Sequence, residues 1–318
     1  MKKKYLYVSL AFILVAALIV YTCFVTKTYE KEVSVPYTMQ KAGEQLYQLD
    51  NVIKWVPPFS YTDSLKTLKG LRKTRTILIN GVRITIISSS AISSILEFQK
   101  GNQTKQFLFS AVPDTGNLTT CKVKLIYKAT LLSQLLDKGG LIKNAAASLE
   151  NLKTYMEDTR QFYGHEIKQS TVADTSFLFK SVTVPVEEKR TATKQLFEEL
   201  IAYANAKKSE YNGTRIFYST PYGSDKIMLF ASIGVSKEVI TGANELIQYK
   251  RMPFGKNLLE ASYQGPYKDV TAVYEALEAF KADHSFTSMA IPYQKFLSDG
   301  YDFADDQVVQ MKIYYPIF

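Results

Sequence analysis

The chain has 318 residues, 46% of them apolar and 22% charged, which suits one large domain or two ordinary ones and excludes wholesale disorder. Two Cys and two His are too few for a disulfide scaffold, a cysteine zinc site or His-rich metal chemistry, so no cofactor or metal is implied. The net charge of +9 sits in the first half: residues 1–32 carry +3, residues 33–172 carry +8 and residues 173–318 carry −2.

Residues 5–25, YLYVSLAFILVAALIVYTCFV, hold no charge and follow Lys2-Lys-Lys4. As a helix, such a run matches the roughly 30 Å hydrocarbon layer of a bilayer. The alternatives are a cleaved signal peptide and a lipoprotein site at Cys23. The long apolar core and the bulky Tyr21 argue against both. The expectation is an uncleaved single-pass anchor in a bacterial inner membrane, with the amino terminus cytoplasmic and the rest periplasmic.

Residues 33–36 alternate as a first strand, and 38–50 read as helical, with Ala42, Leu46 and Leu49 on one face. Trp55, the single Trp, lies in a Pro- and aromatic-rich turn. Lys66, Lys69, Arg72, Lys73, Arg75 and Arg83 form the densest basic cluster. Such a surface favours anionic partners, but no nucleic-acid-binding motif accompanies it, so no direct nucleic-acid contact is expected. Asn80-Gly81 between two apolar runs predicts a tight hairpin. Strands at 92–99, 106–112 and 118–129 continue an antiparallel meander. Residues 131–163 then read as helical, broken near Gly139-Gly140. Leu141, Ala145, Leu149, Leu152 and Met156 form a stripe that needs a sheet to cover.

This order, with Val33-Ser-Val-Pro36, Asn51-Val-Ile-Lys-Trp55 and Ser148-Leu-Glu-Asn-Leu-Lys-Thr-Tyr-Met-Glu157, resembles the START-like (SRPBCC, polyketide-cyclase-like) superfamily. The resemblance spans residues 33–172. It implies a helix-grip domain with an apolar cavity for a hydrophobic or amphipathic small molecule. It carries over no catalytic residue.

The second half repeats itself. A strand at 176–186, a helix at 187–208 and strands at 214–219 and 226–234 form one copy. A bridging strand at 245–252 leads to the second. That copy has a strand at 256–263, a helix at 267–283 and strands at 289–296 and 308–315. Two helices over one sheet face follow from a doubled strand-helix-strand-strand unit, making the whole chain α+β.

Ala261-Ser-Tyr-Gln-Gly-Pro-Tyr267, the helix after it and the ending Lys312-Ile-Tyr-Tyr-Pro-Ile317 resemble the GyrI-like domain, the effector-binding domain of AraC- and MerR-type regulators. The resemblance spans residues 173–318. It implies binding of small, often cationic or aromatic molecules, and in some members hydrolysis of small electrophiles. Two carboxylates expected from that family are replaced here. Lys312 stands before the final Ile-Tyr segment, and Tyr293-Gln-Lys-Phe296 replaces Trp-Glu-x-Tyr. A missing carboxylate removes both a cation partner and a general base. Tyr263, Tyr267, Tyr274, Tyr293, Phe296, Lys312 and Trp55 are the candidate ligand-binding residues; no catalytic set stands out. The expected function is non-catalytic binding or sensing of a small hydrophobic or amphipathic molecule by a membrane-anchored protein. A small-molecule hydrolase and an envelope partner-binding protein are the alternatives.

Overall fold

The structure is a computed structural model that describes residues 2–57, 74–79, 81–137, 139–288, 290–297, 300 and 303–317. Lys66, Lys69, Arg72 and Lys73 of the basic cluster, Asn80 of the hairpin turn and Met289 lie outside the described residues. The chain divides into two compact units, Met1–Asp158 and Thr159–Phe318. The fold is α+β, with two antiparallel sheets.

The first unit opens with helix α1, Lys2–Phe24. Among the described residues, no helix is long and apolar enough to cross a membrane. That finding overturns the expected single-pass inner-membrane anchor and the periplasmic placement drawn from it.

Strand β1, Thr26–Val35, begins earlier than its apolar alternation predicts. Its first half is polar, and cross-strand ion pairs hold it to β6, Asn117–Thr130: Lys122–Glu32 at 2.7 Å and Lys124–Glu30 at 2.5 Å. The predicted helix at 38–50 is two short helices, α2 (Met39–Glu44) and α3 (Leu49–Val52). The meander follows as β2 (Thr76–Ile79), β3 (Val82–Ser89), β4 (Ser93–Lys100) and β5 (Gln103–Asp114), giving the sheet order β1-β6-β5-β4-β3-β2.

The predicted long helix is split into α4 (Leu131–Leu136), α5 (Leu141–Glu157) and, at the start of the second unit, α6 (Thr159–Tyr163). Gly139 and Gly140 carry φ angles of 88° and 69°, which stop α4 from running into α5. The Asp137 carboxylate then accepts from the Ile142 and Lys143 amides at 3.0 and 2.8 Å, supplying the α5 cap that Gly140 cannot. All five residues of the predicted α5 stripe are buried. Against them stands an aromatic interior of Trp55, Tyr37, Phe98, Phe107 and Phe109, each less than 2% exposed. This is the helix-grip arrangement, with α5 laid over the meander. Each fully buried aromatic or aliphatic side chain contributes about 1.5–3 kcal/mol relative to exposure.

In the second unit the two copies are explicit. The first is β8 (Ser176–Pro185), α7 (Lys189–Ala206), β9 (Tyr211–Tyr222) and β10 (Lys226–Val235). The second is β12 (Asn257–Pro266), α8 (Val270–Asp283), β13 (Tyr293–Phe296) and β14 (Val308–Pro316). In each, a proline ends the first strand and a 3-10 turn leads into the helix: Pro185 before Val186–Glu188, Pro266 before Tyr267–Asp269. Proline suits this place because it fixes φ and needs no donor.

Two short strands complete the eight-stranded sheet, β7 (Ile167–Thr171) and β11 (Gln248–Arg251). The order is β11-β8-β10-β9-β13-β14-β12-β7. Each edge strand precedes one copy in sequence but pairs with the other: β7 lies on β12 and β11 on β8. The exchange ties the copies together at both edges. Helices α7 and α8 cover one face, over a core that includes Leu196, Phe197, Leu200, Val273, Leu277 and Phe280. The other face carries a separate small apolar cluster of Phe177, Ile216 and Tyr293 with Met252 and Tyr314.

Candidate functional site

On the helix-covered face of the second unit lies a cleft of about 690 Å³. Its walls come from both copies. Lys189 opens α7, Tyr218 and Ser219 come from β9, Tyr267 and Tyr274 from the second helical segment, and Gln294 from β13. The central position of β13, beside β9, places Gln294 at the junction of the copies.

Aromatic side chains and the Gln294 amide form the middle of the cleft, with charged residues among the rest of its lining. Tyr267 Oη donates to Gln294 Oε1 at 3.4 Å. The Tyr218 and Tyr274 rings meet edge to face with centroids 6.2 Å apart, a favoured aromatic geometry. Lys189 Nζ stands 5.2 Å from the Tyr267 ring centroid, within cation–π range. Burial lowers the Lys189 pKa, while the Asp305 charge favours its ammonium form. Burial also pushes the Tyr267 hydroxyl up to about 12 and raises that of Tyr274. Both hydroxyls are therefore protonated near neutral pH and act as donors. Tyr274 Oη is sealed from solvent and finds no hydrogen-bond partner among the described residues. The Gln294 amide lies close enough to influence it, but the Gln294 carbonyl oxygen is engaged by Tyr267. Carboxylates stand among the lining residues as Glu275, Glu278 and Asp305, and Glu278 is paired with Lys281 at 2.8 Å.

The remaining candidates lie elsewhere. Tyr263 is buried and donates to the Pro266 carbonyl at 2.6 Å. That bond explains the Tyr-Gln-Gly-Pro run, because a Cβ on Gly265 would sit 2.7 Å from Tyr263 Oη. Phe296 packs in the core with Phe197, Phe217 and Phe303. Tyr293 is on the opposite sheet face, 5.2 Å from Tyr314. Lys312 is on that face too, paired at 2.8 Å with Glu260 of β12. Trp55 is fully buried in the first unit, where it donates to the Gln45 carbonyl at 3.2 Å and stands edge-on to Phe109.

Glu260 went unnoticed in the sequence. Only 4% exposed, it is opposed by the ammonium groups of Lys312 and, at 3.5 Å, Lys168. Burial pulls its pKa up, but Lys312, Ser170 and Lys168 outweigh that and hold the carboxyl below its usual range. The cluster draws on three strands, Glu260 on β12 with partners on β7 and β14, so only their register reveals it.

No protein-family model and no curated protein matches the chain. Among solved structures, the chain is similar to EcmrR in its DNA complex: 14% identity, TM-score 0.40, covering 59% of this chain and 72% of that one. A hydrolase from Listeria innocua is similar at 14% identity and TM-score 0.33, over 52% of this chain and 98% of that one. The di-domain ARO/CYC protein BexL of the BE-7585A biosynthetic pathway is similar at 10% identity and TM-score 0.30, over 92% of this chain and 85% of that one. At such identities and TM-scores, these likenesses carry no ligand or activity over to this chain.

Proposed function

We propose that the chain binds a small aromatic or amphipathic molecule in the cleft of its second unit and does not turn it over. The observation that carries this reading is Tyr274, which lines a cleft of about 690 Å³ and whose buried hydroxyl has no hydrogen bond of good geometry among the described residues, with the Gln294 amide its nearest polar influence. An unpaired buried donor costs roughly 1–3 kcal/mol, and a ligand acceptor relieves that cost. The tyrosine walls favour a flat apolar body. Gln294 presents an uncharged amide where a carboxylate would draw a cation, and the ligand we infer is neutral and carries a hydrogen-bond acceptor.

Isothermal titration of the full chain with 2-acetylnaphthalene, and with tetraphenylphosphonium as the cationic competitor, tests this. The neutral ketone binds the unaltered chain more tightly than the cation. Tyr274→Phe weakens ketone binding about fivefold, the worth of one hydrogen bond of about 1 kcal/mol. Gln294→Glu places a carboxylate on the floor and shifts preference toward the cation. Equal ketone binding by Tyr274→Phe, or a cation preference in the unaltered chain, contradicts the reading.

A further inference from the structure

The sheet face away from the helices holds a second cavity, of about 290 Å³. Its floor is apolar: Phe177 and Phe179 of β8, Ile216 of β9, Phe230 of β10 and Tyr293 of β13. Strand alternation puts these side chains on the face opposite Leu178, Phe217 and Leu229, which belong to the helix-covered core. The mouth is formed by β11 and the residues after it, where Met252 donates its amide to Thr175 and Gly255 donates to Val172.

Charge separates this cavity from the cleft. Three cations line it, Lys250, Arg251 and Lys256, and no Asp or Glu does. All three are exposed, and among the described residues none of them is in an ion pair. Lys250 Nζ stands 3.6 Å from the Phe179 ring centroid, so an ammonium sits directly over the apolar floor. Elsewhere on this face Lys295 pairs with Asp174 at 2.5 Å, and Lys312 and Lys168 share Glu260. At the mouth, by contrast, three cations stand together without a carboxylate in the lining.

We propose that this cavity is a second binding site, for an amphipathic anion whose apolar tail lies on Phe177, Phe179 and Phe230 while its anionic head meets Lys250, Arg251 and Lys256. An apolar floor alone would accept any apolar tail. The carboxylate-free cationic mouth is what selects the sign of the head group. This site shares only Tyr218 with the cleft, and the head-group contacts proposed for it use none of the cleft's other lining residues.

Titration calorimetry of the full chain at low salt with decanoate, decan-1-ol and decyltrimethylammonium tests the proposal, since the three share a tail and differ in head charge. Decanoate binds more tightly than decan-1-ol, and decyltrimethylammonium binds least. The double variant Lys250→Glu, Lys256→Glu, altered only at exposed positions, weakens decanoate at least tenfold and leaves decan-1-ol within about twofold. Ser219→Trp, which crowds the cleft, leaves decanoate binding intact. The proposal is overturned if decanoate binds no better than decan-1-ol, if charge reversal leaves its affinity unchanged, or if Ser219→Trp abolishes its binding.

Discussion

Glu260 shows how much of this protein's energetics rests on single side chains. Its carboxylate is buried, and the nearer of its two cationic partners, Lys312, is one-third exposed. Removing Lys312 leaves a buried charge with one distant partner, whereas removing Glu260 frees a lysine that can reach water. Lys312→Met therefore costs about 3 kcal/mol and Glu260→Gln distinctly less, as urea midpoints of the two variants will show. The sign of the pH dependence follows from the lowered carboxyl pKa. The pair's contribution is fully present above the unfolded glutamate pKa and is lost as pH falls through the lower folded value. Urea unfolding between pH 7 and pH 3 should show that loss in the unaltered chain and a shallower one in Glu260→Gln. Equal slopes in both would remove Glu260 from the account.

At the scale of elements, close approach and capping set the first unit. A Cβ on Gly43 of α2 would meet the Ala91 carbonyl oxygen at 2.2 Å, a backbone atom that cannot swing away. Gly43→Ala thus costs about 1–3 kcal/mol despite its better helix propensity. Trp55 is the only Trp and lies in this unit, so its fluorescence reports the shift in unfolding midpoint directly. Asp137→Ala removes the side-chain acceptor for two α5 amides and costs about 1 kcal/mol; an unchanged midpoint would mean that water replaces it fully.

These elements also show what the sequence made legible. The strand-helix-strand-strand order appears twice because apolar period and proline punctuation recur in both copies. The α5 stripe is read at its true positions because one helix face meets one sheet. Strand β1 before Val33 and the whole of β7 escaped notice. Their residues are mostly polar, and pairing partners rather than periodicity hold them in place. The edge-strand exchange is likewise a matter of long-range pairing, invisible in any local window. The cleft was legible only as a set of tyrosines. Spacing cannot say which of them share a cavity, so Tyr267 and Tyr274 meet in the cleft, whereas Tyr263 turns back on its own backbone and Tyr293 faces the other side of the sheet.

For the molecule as a whole, the two units divide the work in physical terms. The first buries Trp55, Tyr37, Phe98, Phe107 and Phe109 in its interior. The second keeps space on its helix-covered face, bounded by tyrosines and an uncharged Gln294. Binding there should stabilise the chain by mass action, raising its melting temperature in proportion to the logarithm of ligand concentration above Kd.

The measurement that meets the central claim most directly is native mass spectrometry of the purified full chain, alone and with added 2-acetylnaphthalene, followed by the same samples under denaturing conditions. The account predicts a discrete small-molecule adduct of one ligand per chain that disappears on denaturation and is depleted in Ser219→Trp. No 2-acetylnaphthalene adduct, or a 2-acetylnaphthalene adduct that survives in Ser219→Trp at full occupancy, would contradict a ligand site in the cleft.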